Sequence, residues 1–343
     1  MNLLHLSMSL VVDLGLGSST VRFYQGTANT LTTDAERIIH GKAVARGVKT
    51  NEERRAALAC YYFTSTYSFC FHRLDYLKFS PHLEQCCNDL VAAGEYPSDQ
   101  SIVAVVRLHQ LTEKYLMYAD TKFGPNLPLS MYVKLFKQEL QRFLSTLPQT
   151  VTTDELFDLH LHSTQVCVYE SIIPLPNDNA IEKVAALHAG LLAVEKYFSS
   201  FLSQHSTSMP AITYPHYMRQ LHALSVLAKL SFLHLEGWDL QYVRSTVDFC
   251  DLIDRLNDKL WSMQEVEAAN GGPTFSRRYR THRARLAQCK TWFKELVAQE
   301  ARAQDTDGVQ IDSYDPMFSG MLETTDDYLN FDFSEGWPGD AQV

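Results

Sequence analysis

The chain has 343 residues, 45 % hydrophobic and 20 % charged, an ordinary globular balance, and is long enough to bury about three quarters of its unfolded surface in one or two units. Its formal net charge of −10 sits at one end: ten acids and no lysine or arginine lie from Asp305 onward, so residues 1–304 sum to zero (−10 minus −10). This excludes the broad positive field that non-specific phosphate binding needs, and no apolar run reaches the length of a membrane span. Seven cysteines, at 60, 70, 86, 87, 167, 250 and 289, are odd in number and scattered. That spacing excludes a secreted disulfide framework and predicts small buried hydrophobes in a reducing compartment. The one adjacent pair, Cys86-Cys87, is expected to point to different sides of a helix.

Met1–Leu16 reads as an amphipathic core helix ending at Gly15 and Gly17. It has no basic leader, Asp13 interrupts it, and no small-x-small site follows, so a signal peptide is not expected. A start inside such a helix suggests that an upstream segment is missing. Residues 17–49 are a connector with a short helix over Asp34–Ala45.

The stretch from Asn51 to Tyr118 then predicts three consecutive helices. Thr50 with Glu53 is a capping box, followed by an apolar stripe of Ala57, Leu58, Tyr61, Tyr62, Ser65 and Phe69. Ser80-Pro81 restarts the chain, because serine accepts from first-turn amides and proline loses nothing at the first helical position. Tyr96-Pro97-Ser98-Asp99 punctuates before Ile102, Val105, Val106, Leu108 and Leu111.

After the loop Lys122–Pro128, helices are predicted with Tyr132, Leu135, Phe136, Leu140, Phe143 and Leu144 inward, and then over Glu155–Ile172. Asn179 with Glu182 opens a long helix to Phe201. Beyond the spacer 206–215, Tyr217 to Leu235 is very apolar and reads as central. Asp239–Glu267 reads as one helix burying Val243, Val247, Cys250, Ile253, Leu256, Leu260 and Trp261, and Arg277–Ala303 as the last. Strand-like alternation is scarce and no fixed repeat is evident. The fold class is therefore all-α, an irregular multi-helix bundle or solenoid-like body over residues 1–304, with an acidic tail over 305–343.

Several of these motifs occur in an order that resembles a known family. Glu53-Arg54-Arg55-Ala56, Cys60-Tyr61-Tyr62, Arg73-Leu74-Asp75, Ser80-Pro81 and Glu95-Tyr96-Pro97-Ser98-Asp99 look like the regulatory region of fungal zinc binuclear cluster transcription factors. Ser9–Leu16, Leu159-His160-Leu161-His162 with Tyr169-Glu170, and Gly237-Trp238-Asp239-Leu240 with Val243-Arg244 resemble further segments of that region. The likeness is carried by colinear order over about residues 1–300 rather than by one specific motif. It implies a nuclear regulatory scaffold, supporting a homo- or heterodimer, in a regulator of the kind that controls a secondary-metabolite gene cluster. The family's DNA-reading module needs six thiolates around two zinc ions in closely spaced Cys-x-x-Cys groups. None of the seven cysteines here has that spacing. No cofactor is therefore expected in this chain, and direct sequence-specific DNA binding is not expected of these residues alone.

Candidate chemistry is sparse. His160-x-His162 beside Asp158 is the most metal-like cluster, yet on a helix two residues apart diverge by about 200°, and no third and fourth ligand stands nearby. No Gly-x-Ser-x-Gly, His-Glu-x-x-His or phosphate loop is present, and Asp251-Leu252-Ile253-Asp254 falls short of an Asp-rich metal motif, so an enzyme is not expected. Arg277, Arg278, Arg280, Arg283 and Arg285 form a basic run that suits a nuclear-import or phosphate-contacting surface. Leu286, Trp292, Phe293 and Leu296 make it amphipathic, for which a solvated basic face is the plain alternative. Its charge also complements the tail. There Phe318, Leu322, Tyr328, Leu329, Phe331, Phe333 and Trp337 alternate with carboxylates. Repulsion keeps such a segment extended and its rings hydrated, ready to fold into a coactivator groove. Plain solubilising termini rarely carry so many large apolar groups. The sequence thus predicts a transcription regulator with an activation tail, the alternative being a non-DNA-binding helical adaptor or dimerisation partner of an intact factor.

Overall fold

The computed structural model describes residues 50–71, 77–120, 127–176, 179–204, 214–269 and 277–305. The expected helices over Met1–Leu16 and Asp34–Ala45, the Arg73-Leu74-Asp75 motif and the tail beyond Asp305 lie outside the described residues. Those residues hold eleven helices and no strand, so the fold is all-α. They form two compact units, 50–68 with 77–110, and 69–71 with 111–305.

The first unit contains most of α1 (Asn51–Phe71), α2 (Pro81–Ala93) and the first half of α3 (Ser98–Ala119). Its start signals work as written. The Thr50 amide donates to Glu53 Oε2 at 2.8 Å and the Glu53 amide to Thr50 Oγ1 at 3.3 Å, which satisfies two orphan donors reciprocally. Ser80 Oγ accepts from the Leu83 amide at 3.4 Å ahead of Pro81. Gly94 closes α2 at φ 55°, a left-handed cap without a Cβ penalty, its amide donating to Leu90 O. The core packs Ala57, Leu58 and Tyr61 of α1 against Leu83, Cys86, Cys87 and Leu90 of α2 and Val103 and Val106 of α3. Cys86 and Cys87 are both fully buried, so the pair shares one wide inward face rather than dividing between inside and outside.

The Glu95–Asp99 run is a charge clamp. Arg55 donates from Nε to Asp99 Oδ1 and from a terminal nitrogen to Asp99 Oδ2, both at 2.8 Å, and to Glu95 Oε2 at 2.7 Å. Its guanidinium lies 4.4 Å from the centre of the Tyr96 ring. The motif that carries much of the family likeness is thus occupied in fixing the α2–α3 turn to α1.

The second unit contains the end of α1, the rest of α3, and α4 (Leu129–Thr146), α5 (Gln149–Thr152), α6 (Glu155–Glu170), α7 (Ala180–Ser203), α8 (Tyr214–Ser231), α9 (Leu240–Thr246), α10 (Phe249–Ala269) and α11 (Arg277–Asp305). Asn179 caps α7 by accepting from the Glu182 amide at 3.3 Å. Helices α6 and α7 pack closely. A Cβ added at Gly190 of α7 would stand 3.0 Å from Tyr169 Cβ of α6, so a larger residue there requires the two helices to give by a few tenths of an ångström. Helix α8 is central, with Leu224, Leu227 and Leu230 almost fully enclosed.

Two expectations on the C-terminal half are corrected. Asp239–Glu267 is two helices, not one. Val247 leaves α9 in extended geometry at φ −135°, and Asp248 Oδ1 accepts from the Asp251 amide at 2.8 Å as a fresh N-cap. Trp261 does not join the core; 44 % of it is exposed. Leu260 and Trp261 lie about 100° apart around the helix, and Leu260 takes the inward place. In α3, Val103 and Ala104 are fully enclosed, while Ile102 packs partly buried against the same core and Val105 is half-buried. His109, Thr112 and Glu113 are buried with them.

The Gly237–Arg244 motif is also structural. Gly237 turns the chain at φ 79°, and Trp238 Nε1 donates to Leu230 O at 2.9 Å. Asp239 accepts from the Gln241 and Tyr242 amides at 2.9 and 3.1 Å. Arg244 donates to Ser231 O at 3.0 Å and pairs with the buried Glu300 of α11. Phe249 of α10 stacks on Phe293 of α11, centroids 4.2 Å apart and 4° from parallel.

Candidate functional site

The five arginines of the basic run fall on the first turns of α11 and do not form one uniform face. The side chains of Arg277 and Arg278 lie outside the described residues. Arg280 is exposed. Arg283 is half-buried, its guanidinium 4.8 Å from the centre of the Trp261 ring, a distance at which a cation is drawn to the ring face. Arg285 is only 7 % exposed and cannot contribute to an open cationic surface. Tyr279, Leu286, Cys289, Trp292, Phe293 and Leu296 hold the helix to the body through the amphipathic pattern legible in the sequence.

Between α10 and α11 these residues line an open groove of about 450 Å³. Asn257, Trp261 and Gln264 form one wall, Arg280 and Arg283 the other, and the small side chains of Ala284 and Ala287 leave its floor clear. Two polar atoms in it are unsatisfied, Asn257 Oδ1 and Arg283 Nε. The adjoining Glu265 is engaged, accepting from Trp261 Nε1 at 2.8 Å. The groove offers the partly exposed Trp261, the exposed Arg280 and the positive charge of its two arginines. That is a binding surface for carboxylates flanked by apolar groups, and it holds no nucleophile or base pair. The sequence reading places Trp261 in the core and does not single out Asn257, because an apolar period with two adjacent large residues, Leu260 and Trp261, does not say which of them is left outside.

The tail residues Phe318, Leu322, Tyr328, Leu329, Phe331, Phe333 and Trp337 all lie outside the described residues. His160 and His162 are both on α6 and do not converge. His160 is buried and its Nδ1 accepts from Arg219 of α8, with the His216 ring 5.2 Å away. His162 Nδ1 meets Gln165 at 2.9 Å, and burial holds its pKa below the usual imidazole value. Among the described residues no group of three His, Cys, Asp or Glu side chains could hold a metal ion.

All seven cysteines are free thiols, six of them buried, and burial pushes Cys70, Cys87 and Cys289 up to about 12.

The densest electrostatic arrangement is structural and lies between α6 and α8. Glu170, 8 % exposed, accepts from His222 Nε2 at 2.6 Å and from Lys229 Nζ at 3.0 Å. Burial alone would depress His222, but the facing Glu170 carboxylate, with Cys167 beside it, raises its pKa to about 10, so the pair is ionised at neutral pH. A second buried histidine, His282 of α11, is driven the other way, to about 3, by burial and the neighbouring Arg285. It stays neutral against Gln220 Oε1.

Comparison with known proteins agrees with the motif order. A family model described as the ATEG07667_C C-terminal domain matches residues 206–334, which takes in α8 to α11 and continues past Asp305. The chain is 24 % identical over 238 residues to the transcription factor opdL of Penicillium oxalicum, covering 66 % of this chain and 42 % of that protein. It is 22 % identical over 268 residues to a transcription factor of Aspergillus terreus, covering 71 % of this chain and 44 % of the relative. A third match is the transcriptional regulator WAR1 of Candida albicans, 24 % identical over 169 residues, or 48 % and 17 % of the two chains. No solved structure matches. The chain is homologous to fungal transcription factors, and it spans less than half the length of the relatives it matches.

Proposed function

We propose that this chain acts in transcription regulation, as the regulatory and activation portion of a fungal zinc-cluster-type factor. The observation that carries the reading is the homology to transcription factors, which covers 66 % of the chain in one relative and 71 % in another. The body serves as a scaffold and dimer support, without catalytic chemistry, in the nucleus. Residues 305–343 recruit coactivators by seating Phe318, Leu322, Tyr328, Leu329, Phe331, Phe333 and Trp337 in an apolar groove while the intervening carboxylates set on-rate and specificity. Regulation of a secondary-metabolite gene cluster is the finer form of the same proposal.

The test tethers the full chain to a heterologous DNA-binding domain upstream of a reporter. Output should rise above that of the DNA-binding domain alone and return to that baseline when Phe331, Phe333 and Trp337 are replaced together by alanine. Output unaffected by the triple replacement would remove the tail from the mechanism.

A further inference from the structure

We propose that the α10–α11 groove is the docking site of this chain's own acidic-aromatic tail, which shields the tail's rings until an external partner displaces it. The inference rests on the tail being the partner-binding segment and adds where it resides when no partner is bound.

The two surfaces match in chemistry. Arg280 is exposed and makes no ion pair among the described residues, and Arg283 has an Nε–H without an acceptor. A carboxylate gains a short, charge-assisted bond at Arg280, and half-buried Arg283, whose Nε–H is itself enclosed, adds its charge beside it. Trp261 presents 44 % of its surface beside that donor, and rings prefer to meet an indole edge-on or offset. The tail supplies this alternation twice, as Asp326-Asp327-Tyr328-Leu329 and as Phe331-Asp332-Phe333. About 450 Å³ accommodates one or two such side chains and not a folded element.

The connection also allows it. The tail leaves from the far end of the same helix, and from Arg283 to Asp305 the helix rises about 33 Å. A flexible coil of the length that separates Asp305 from the Tyr328–Phe333 segment, about 25 residues, would have a root-mean-square span of about 25–30 Å and a maximum of about 80 Å. The required distance is therefore near the coil's natural span, where the effective concentration of a tethered segment is on the order of millimolar. A weak site then suffices to hold the tail, and a partner with micromolar affinity displaces it. The family match from 206 to 334 takes the groove helices and the tail through Phe333 together as one unit.

Hydrogen exchange on the full chain tests the proposal, comparing peptides over residues 318–337 in the wild type, in Arg280→Glu and in the double variant Arg280→Glu/Arg283→Glu. At low salt the tail should exchange about threefold slower in the wild type than in the double variant, with Arg280→Glu between them. About 1 M salt should abolish the difference, because screening then acts within ~3 Å. Arg280 is exposed and makes no ion pair among the described residues, so its variant reads docking even if Arg283→Glu disturbs the contact with Trp261. Equal exchange in all three proteins at low salt overturns the proposal. So does protection that grows with protein concentration, which assigns the occupant to a second copy. Slow exchange alongside an inactive tethered tail keeps the docking and discards the activation reading, whereas fast exchange alongside an active tail does the reverse.

Discussion

Replacing Glu170 by alanine should destabilise the helical body by about 3–5 kcal/mol at neutral pH, because it strands the buried His222 cation between α6 and α8 and takes the carboxylate from the partly exposed Lys229. In the wild type the carboxylate holds the buried His222 imidazolium at 2.6 Å and Lys229 at 3.0 Å. Its loss leaves His222, 2 % exposed, with no carboxylate to balance its charge. The variant escapes part of that cost by releasing the His222 proton, which gives a pH signature. His222 titrates near 6.5 when unfolded and at about 10 when folded, so its stabilising contribution is complete below pH 6.5 and drains away as pH rises toward 10. Glu170→Ala should lose that dependence, and the gap between the two proteins should narrow steadily from pH 6.5 upward. On the acid side His282 and His162 work in the opposite sense. Their folded values are depressed, so stability falls as pH drops below 6.5, where the unfolded rings take up protons. Urea denaturation across pH 5–10 checks both limbs; a gap that does not change above pH 6.5 would refute the assignment of His222 as a cation.

The second large effect is expected in the first unit. Asp99 is 1 % exposed and accepts a two-pronged bond from Arg55, together with the Tyr96 amide at 3.4 Å. Asp99→Asn keeps the shape but puts an amide where the guanidinium needs an acceptor, and should cost about 2–3 kcal/mol, the range for a charge-assisted bond lost from a buried site. The Arg55 guanidinium holds the Asp99 carboxyl below its ordinary 3.8. Its contribution is thus present at neutral pH and lost only as pH falls below about 4. Arg55→Lys should not preserve the clamp, because an ammonium cannot engage both carboxylate oxygens as a planar fork or stack on Tyr96 in the same way. A urea midpoint for Asp99→Asn equal to that of the wild type would show the clamp to be a surface ornament.

The start and stop signals of the helices were legible because they are local. Thr50/Glu53, Ser80-Pro81 and Asn179/Glu182 need only a few residues to form a cap, and each is found as expected. The break at Val247-Asp248 was just as local, yet it was hidden by an apolar period that runs through it from Val243 to Ile253. What sequence could not supply is long-range pairing. Arg219, Gln220 and His222 sit in a helix that reads as uniformly apolar, and their burial is tolerable only because His160, His282 and Glu170 arrive from 52 to 62 residues away. The motifs that resemble the family proved to be parts of the scaffold: Arg55 with Glu95–Asp99, and Gly237 with Asp239 and Arg244. The groove depends on which of two adjacent residues, Leu260 or Trp261, faces the core, and periodicity leaves that choice open. The tail's role was read from composition alone, since alternating carboxylates and rings need no fold to be recognised.

The account stands or falls on residues 305–343 as a transferable activation segment. Fused by themselves to a heterologous DNA-binding domain, they should raise reporter output at least as strongly as the full chain does, because the proposed groove contact is then absent. No rise above the DNA-binding domain alone, with the fusion present in the nucleus, would contradict it.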